Sequence, residues 1–174
     1  MLKFSAKMKK GRIILIKIGG SSITDKSTPY KLKKESLKSI CKQIFKAKDR
    51  RLLIAHGAGS FTHTSASIYG GKKGYASKLG GSKVFQDAAK INSIVTEALI
   101  DEGIPAVSVR PRSFMLSESG KLKEIFANPI TELLHQGLVP IICGDVILDT
   151  KWKTTIFSGE KSLNILAEYL IGKG

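Results

Sequence analysis

Cysteine is nearly absent from this 174-residue chain, with Cys41 and Cys143 the only two, one on the apolar stripe of an expected helix and the other inside an apolar run. A disulfide framework is thereby excluded, and both thiols are expected in the core of a reduced protein. There are only three histidines, and no metal-ligating set of His, Cys, Asp and Glu stands out, so no metal site is expected in the chain itself. No apolar run approaches the length of a membrane span. The opening residues, MLKFSAKMKKGR, are charged throughout and lack the hydrophobic segment of a signal peptide, so a cytoplasmic protein with no membrane partner is expected. Neither GxxxxGK[ST] nor GxGxxG spacing occurs, which removes the two commonest nucleotide-binding patterns.

Acidic residues are also scarce, 14 against 29 Lys and Arg, and the formal charge of +15 favours an anionic partner. The excess lies toward the N-terminus, where 16 basic residues up to Arg51 face three acids, Asp25, Glu35 and Asp49. These basic residues run along a helix and loops without interleaved aromatics to stack on bases, so they read as a solvated face and nucleic acid is not an expected partner.

With 174 residues a single domain buries about 70% of its unfolded surface, enough for a substantial core. Residues 1–12 read as a basic arm, frayed before Gly11 unless Met8 is the true start, and 13–174 as one domain. Apolar strands alternate with helical periodicity. Leu37, Ile40, Cys41, Ile44 and Phe45 mark a helix between Lys34 and Asp49 that returns the chain from a first strand to a second. Val84, Ala88, Ile91, Val95 and Leu99 mark another from about Lys83 to Glu102, stopped by Gly103 and Pro105. Ala106–Val109 reads as a third strand, Pro129 opens a helix that Gly137 ends, and Leu138–Leu148 is one long apolar run. Trp152–Phe157 reads as a hairpin arm, and Glu160–Ile171 as a closing helix with Leu163, Leu166, Ala167 and Leu170 inward. The expected fold is α/β, an open, mainly parallel sheet sandwiched by helices. Ser67–Ser82, rich in glycine and lysine, is expected to be mobile, either a lid or a plain loop.

Two strand ends carry the chemistry. At Ile13–Lys26, IILIKIGGSSITDK, an apolar strand enters a Gly19-Gly20-Ser21-Ser22 turn bracketed by Lys17 and Lys26. Glycines let successive N–H groups aim at an anion and the ammonium groups neutralise it, although the same residues also describe a tight turn with two solvated lysines. Arg51–His63, RLLIAHGAGSFTH, repeats the construction. In parallel α/β sheets ligands lie beyond the carboxyl ends of the strands, so two such loops on neighbouring strands face one cleft. His56 reads as a packing residue, His135 as helix surface, and His63 as either structural or ligand-binding.

The segments IKIGGSSITDK, HGAGSFTH, GIPAVSVRPRSF and GLVPIICGDVILD followed by FSGE resemble isopentenyl phosphate kinase of the amino acid kinase superfamily, in order, from Ile13 to about Leu170. The resemblance implies the N-terminal portion of an amino acid kinase-like fold and an enzyme that transfers the γ-phosphoryl of ATP, with Mg2+, to isopentenyl phosphate in isoprenoid precursor synthesis. A carboxylate, carbamate or phosphonate acceptor, or a non-catalytic remnant, is the alternative. By the same resemblance Lys17 bridges the transferring phosphoryl and the acceptor, Gly19, Gly20 and Ser21 offer amides to ATP, and Lys26 holds its γ-phosphate. Ala58 touches the acceptor, Gly59 ATP, His63 the acceptor phosphate and Gly159 the substrate, while Glu160 orients the lysines. Two positions depart from the family pattern. Thr62 replaces a glycine and is expected to narrow the site or restrict the turn, and Glu160 replaces an aspartate and lengthens the carboxylate arm. The family's adenine-holding part follows the position of Gly174, so the chain is expected to be a fragment, a truncated reading frame or a protein completed by a partner, with an open sheet edge. A homodimer and a monomer both remain open.

Overall fold

A computed structural model describes residues 12–172 of the chain. The basic arm expected at the start lies outside the described residues apart from Arg12. Four parallel strands form the central sheet: β1 (Ile13–Ile18), β2 (Arg51–His56), β3 (Ala106–Ser108) and β6 (Val139–Cys143), in the order β1-β2-β6-β3. Leu52 and Ile54 of β2 enter one core, while Leu53 and Ala55 enter the other. Successive side chains of a strand point to opposite faces, so a strand covered on both sides reads as one apolar run. The first core is closed by α2 (Lys34–Phe45) through Leu37, Cys41 and Ile44 and by α4 (Lys78–Asp101) through Ile91, Val95 and Leu99. The second is closed by α5 (Asn128–His135) through Ile130 and Leu134 and by α6 (Gly159–Ile171) through Leu163 and Leu166. This is the expected helix-sandwiched parallel sheet.

The expected boundaries shift in three places. The helix expected from Lys83 begins at Lys78, where the Ser77 hydroxyl accepts the Gly80 N–H at 3.0 Å. Gly80 and Gly81 lie inside that helix because Tyr69 and Tyr75 pack where their Cβ atoms would stand. The segment expected as a mobile loop over Ser67–Ser82 is therefore largely ordered, with α3 (Gly59–Tyr69) reaching into it and a Gly70–Tyr75 bridge closing the short remainder. The helix expected to reach Asp49 stops at Phe45 and gives way to turns closed by bonds such as Ala47 N–H to the Ile44 carbonyl.

The Leu138–Leu148 run is two strands in two sheets. β6 stays in the parallel sheet, and after Gly144 the chain leaves it as β7 (Asp145–Asp149). A second sheet, unforeseen as such, has the order β5-β4-β7-β8, with β4 (Met115–Glu118), β5 (Lys121–Ile125) and the expected arm as β8 (Lys153–Phe157). Asp145, fully buried at the crossover, is ion-paired with Arg112, whose backbone N–H also donates to it. Removing one partner of such a pair leaves a buried charge uncompensated.

His56 packs as expected. Its ring is fully buried at the end of β2, with Nδ1 3.1 Å from the Gly57 carbonyl. Burial holds its pKa down to about 4. The unfolded chain takes up this proton below pH ~6.5 while the folded chain refuses it until about pH 4. Stability therefore falls as pH drops through that window, by an amount on the order of 3 kcal/mol. Urea unfolding between pH 7 and 5 should show this slope, and His56→Leu should flatten it. An unchanged slope would mean that His56 does not carry it.

Candidate functional site

The carboxyl ends of β1, β2 and β6 meet in backbone contact. A Cβ on Gly57 would stand 2.7 Å from the Gly20 nitrogen, and one on Gly20 would stand 2.8 Å from the Gly59 nitrogen. Only glycine permits this approach. Gly59 also has φ +54°, and a Cβ there would collide with the Thr24 hydroxyl. Gly159 abuts the His56 carbonyl, which accepts the Gly144 N–H at 2.9 Å. Buried Thr24 fastens the first two loops: its hydroxyl donates to the Gly20 carbonyl at 2.8 Å and accepts the Ser60 N–H at 3.0 Å.

This convergence encloses a cavity of about 280 Å³ lined by Lys17, Gly19, Gly20, Ser21, Lys26, Ala58, Gly59, His63 and Gly159. Every sequence-predicted site residue except Glu160 is on its wall. Glu160 stands at the rim, its carboxylate 3.6 Å from Lys17 Nζ. Both members of that pair are largely exposed, so it adds little to stability. The N-termini of α3 and α6 begin at Gly59 and Gly159 on the same wall, and helix N-termini favour anions. Lys26 makes no ion pair among the described residues. It sits on a turn pinned by the Asp25 carboxylate, which accepts the Ser27 N–H at 2.9 Å and pairs with Lys31 at 3.2 Å. Hydrogen bonds from Ser27 hold the Asp25 carboxyl down to about 2. The cavity thus presents two ammonium groups, a histidine and glycine-exposed backbone. Ala66, Ile156 and Phe157 give it an apolar flank.

Thr62 also lines the cavity, buried, with no partner for its hydroxyl among the described residues. It lies in the first turn of α3, where threonine takes helical angles without strain, so the restriction expected there does not arise. Thr24, Gly57 and Gly144 were missed as site residues. Gly57 and Gly144 left a signal, each being a glycine directly after an apolar strand. Thr24 left none, because its partner Ser60 is 36 residues away. Among the described residues no three His, Cys, Asp or Glu side chains cluster as metal ligands, and no helix is long and apolar enough to cross a membrane.

A family model described as the amino acid kinase family matches residues 12–172. Isopentenyl phosphate kinase of Methanothermobacter thermautotrophicus is 35% identical over 162 residues, covering 87% of this chain and 61% of that protein. The Methanocaldococcus jannaschii isopentenyl phosphate kinase is 34% identical over 172 residues, covering 91% and 65%. This chain therefore spans less than two thirds of the length of these relatives. A solved isopentenyl phosphate kinase structure superposes with a TM-score of 0.85 at 32% identity, covering 92% of this chain and 68% of that one.

The backbone contact predicts that Gly57→Ala destabilises the fold by about 2 kcal/mol or more, as overpacking against immovable backbone does. The denaturation midpoint in urea measures it, and a wild-type midpoint would contradict the contact.

Proposed function

The chain belongs to the amino acid kinase family, and we propose that it provides the acceptor site of an ATP-dependent phosphotransferase that converts isopentenyl phosphate to isopentenyl diphosphate. One observation carries this reading: a single cavity wall holds Lys17, Lys26, His63 and the glycine backbone of both loops beside an apolar flank of Ala66, Ile156 and Phe157. That combination suits a ligand with a phosphate at one end and a short hydrocarbon at the other.

In the reaction a terminal phosphate oxygen of the acceptor attacks the γ-phosphorus of ATP, the bond to the β–γ bridging oxygen breaks, and ADP leaves. Catalysis of this kind rests on placement and positive charge. Lys17 neutralises the transferring phosphoryl, and Lys26 holds the γ-phosphate. Gly19, Gly20, Ser21 and Gly59 offer amides to ATP. His63 donates to the acceptor phosphate, with Ala58 and Gly159 against the acceptor. Glu160, 3.6 Å from Lys17 Nζ, aims that lysine. Mg2+ bound with ATP supplies further charge neutralisation. Glu160 is the carboxylate at hand, so the chain's donor set suits an ion carried mainly on phosphate oxygens. The product would feed isoprenoid precursor synthesis in the cytoplasm, and assembly as a homodimer is part of the same reading.

Calorimetric titration of the folded chain with isopentenyl phosphate should show binding, weakened about 10-fold or more by His63→Ala through loss of a charge-assisted hydrogen bond. Lys17→Ala should lower kcat/KM about 100-fold or more wherever turnover is measurable. A folded chain that does not bind isopentenyl phosphate would overturn the assignment.

A further inference from the structure

A second concavity, of about 500 Å³, lies at the tip of the β7–β8 hairpin and is lined by Lys73, Gly74, Tyr75, Lys151, Trp152 and Lys153. It shares no lining residue with the kinase cavity. β8 connects the two, running from Lys153 at the tip to Phe157 at the kinase cavity, about 13 Å at strand rise. Three features show that the tip is held in shape. The buried Asp149 carboxylate accepts N–H groups from Gly120 (2.8 Å), Trp152 (2.8 Å) and Lys151 (2.9 Å), which ties the β4–β5 turn to the β7–β8 turn. Burial raises the pKa of this carboxyl, but those donors and the Ser117 hydroxyl more than reverse the effect and hold it well below the usual carboxylate range. The Trp152 ring packs against Gly120, where a Cβ would stand 2.6 Å from it. The Gly74 N–H binds the Thr154 carbonyl at 3.3 Å, fixing the Lys73 loop beside β8.

Three lysines and a tryptophan from two separate segments line this one concavity. Lys73 Nζ stands 4.8 Å from the centroid of the Trp152 ring. Lys73, Lys151 and Lys153 make no ion pair among the described residues. The carboxylate facing this edge is Glu118, engaged by Lys123 at 2.8 Å and by the Thr150 hydroxyl at 2.9 Å. Lys153 is held at φ +67°, a conformation costly for a side-chain-bearing residue. We propose that this tip binds single-stranded nucleic acid, one base stacking on Trp152 in place of the Lys73 ammonium while Lys73, Lys151 and Lys153 take the flanking phosphates. Trp152 is half-buried, one side of its ring covered by Gly120. Stacking on an accessible aromatic face within a basic groove is the general mode of strand binding without sequence preference, and the formal charge of +15 adds long-range attraction. A lipid surface is disfavoured because the ring lies down on Gly120 rather than projecting.

Trp152 is the chain's single tryptophan, which makes its fluorescence a reporter of this tip alone. Titration of the full chain with an eight-nucleotide oligo(dT) should quench that fluorescence, at concentrations at least 10-fold below those needed for TMP. The logarithm of the affinity should fall with the logarithm of salt concentration with a slope of about −2 for three phosphate contacts. Lys151→Glu together with Lys73→Glu should weaken quenching at least 10-fold while circular dichroism stays unchanged, and Trp152→Ala should weaken binding of a fluorescein-labelled strand by anisotropy. Absence of quenching, quenching by TMP at equal concentration, or an affinity indifferent to the charge reversals would overturn the proposal.

Discussion

The contact of one bare backbone with another, Gly20 against Gly57 and Gly159 against the His56 carbonyl, is the constraint around which this molecule is arranged. Loops that cannot interpenetrate would hold the ends of β1, β2 and β6 farther apart, and side chains carried by separate loops would no longer share a wall. Thr24 adds direction to that closeness. With one hydroxyl it satisfies a carbonyl of the first loop and an amide of the second, so the loops are locked in register as well as near each other. The cavity's chemistry is a consequence of this packing, since Lys17, Lys26 and His63 arrive from β1, its following turn and α3 and meet because the backbones do.

The parallel sheet and its helices were legible because each is written in a short-range pattern. Apolar residues of α2 and α4 recur at helical spacing, and doubly covered strands read as continuous apolar runs. The candidate site residues were legible for a related reason: both loops follow an apolar strand directly, the first carrying glycine and lysine and the second glycine and histidine in close order. What escaped was long-range. The division of Leu138–Leu148 between two sheets falls at the buried Arg112–Asp145 pair across the crossover, which no local spacing announces. The early start of α4 depends on Tyr69 and Tyr75 lying across Gly80 and Gly81, so a stretch that looks too glycine-rich to order itself is ordered by its neighbours.

The same distinction separates two kinds of positive charge in the chain. The lysines of α2 stand on a solvated face, as their spacing implies. Those around Trp152 come from two segments about eighty residues apart and converge only because the Gly70–Tyr75 turn is stitched to β8. Composition reports their number, and only the fold reports their company.

The alternation along β2 bears on how this gene can tolerate change. Leu52 and Ile54 face one core, Leu53 and Ala55 the other, and the strand is paired on both edges, so it carries a reading frame in three dimensions. Inserting or deleting a single residue there would exchange the two cores and, at the same stroke, turn Gly57 and Gly59 away from their partners. The turn at Gly137, between α5 and β6, carries no such double obligation, since a Cβ there would meet nothing within 4 Å. Length variation among descendants of this sequence should therefore collect at such open turns and spare β2.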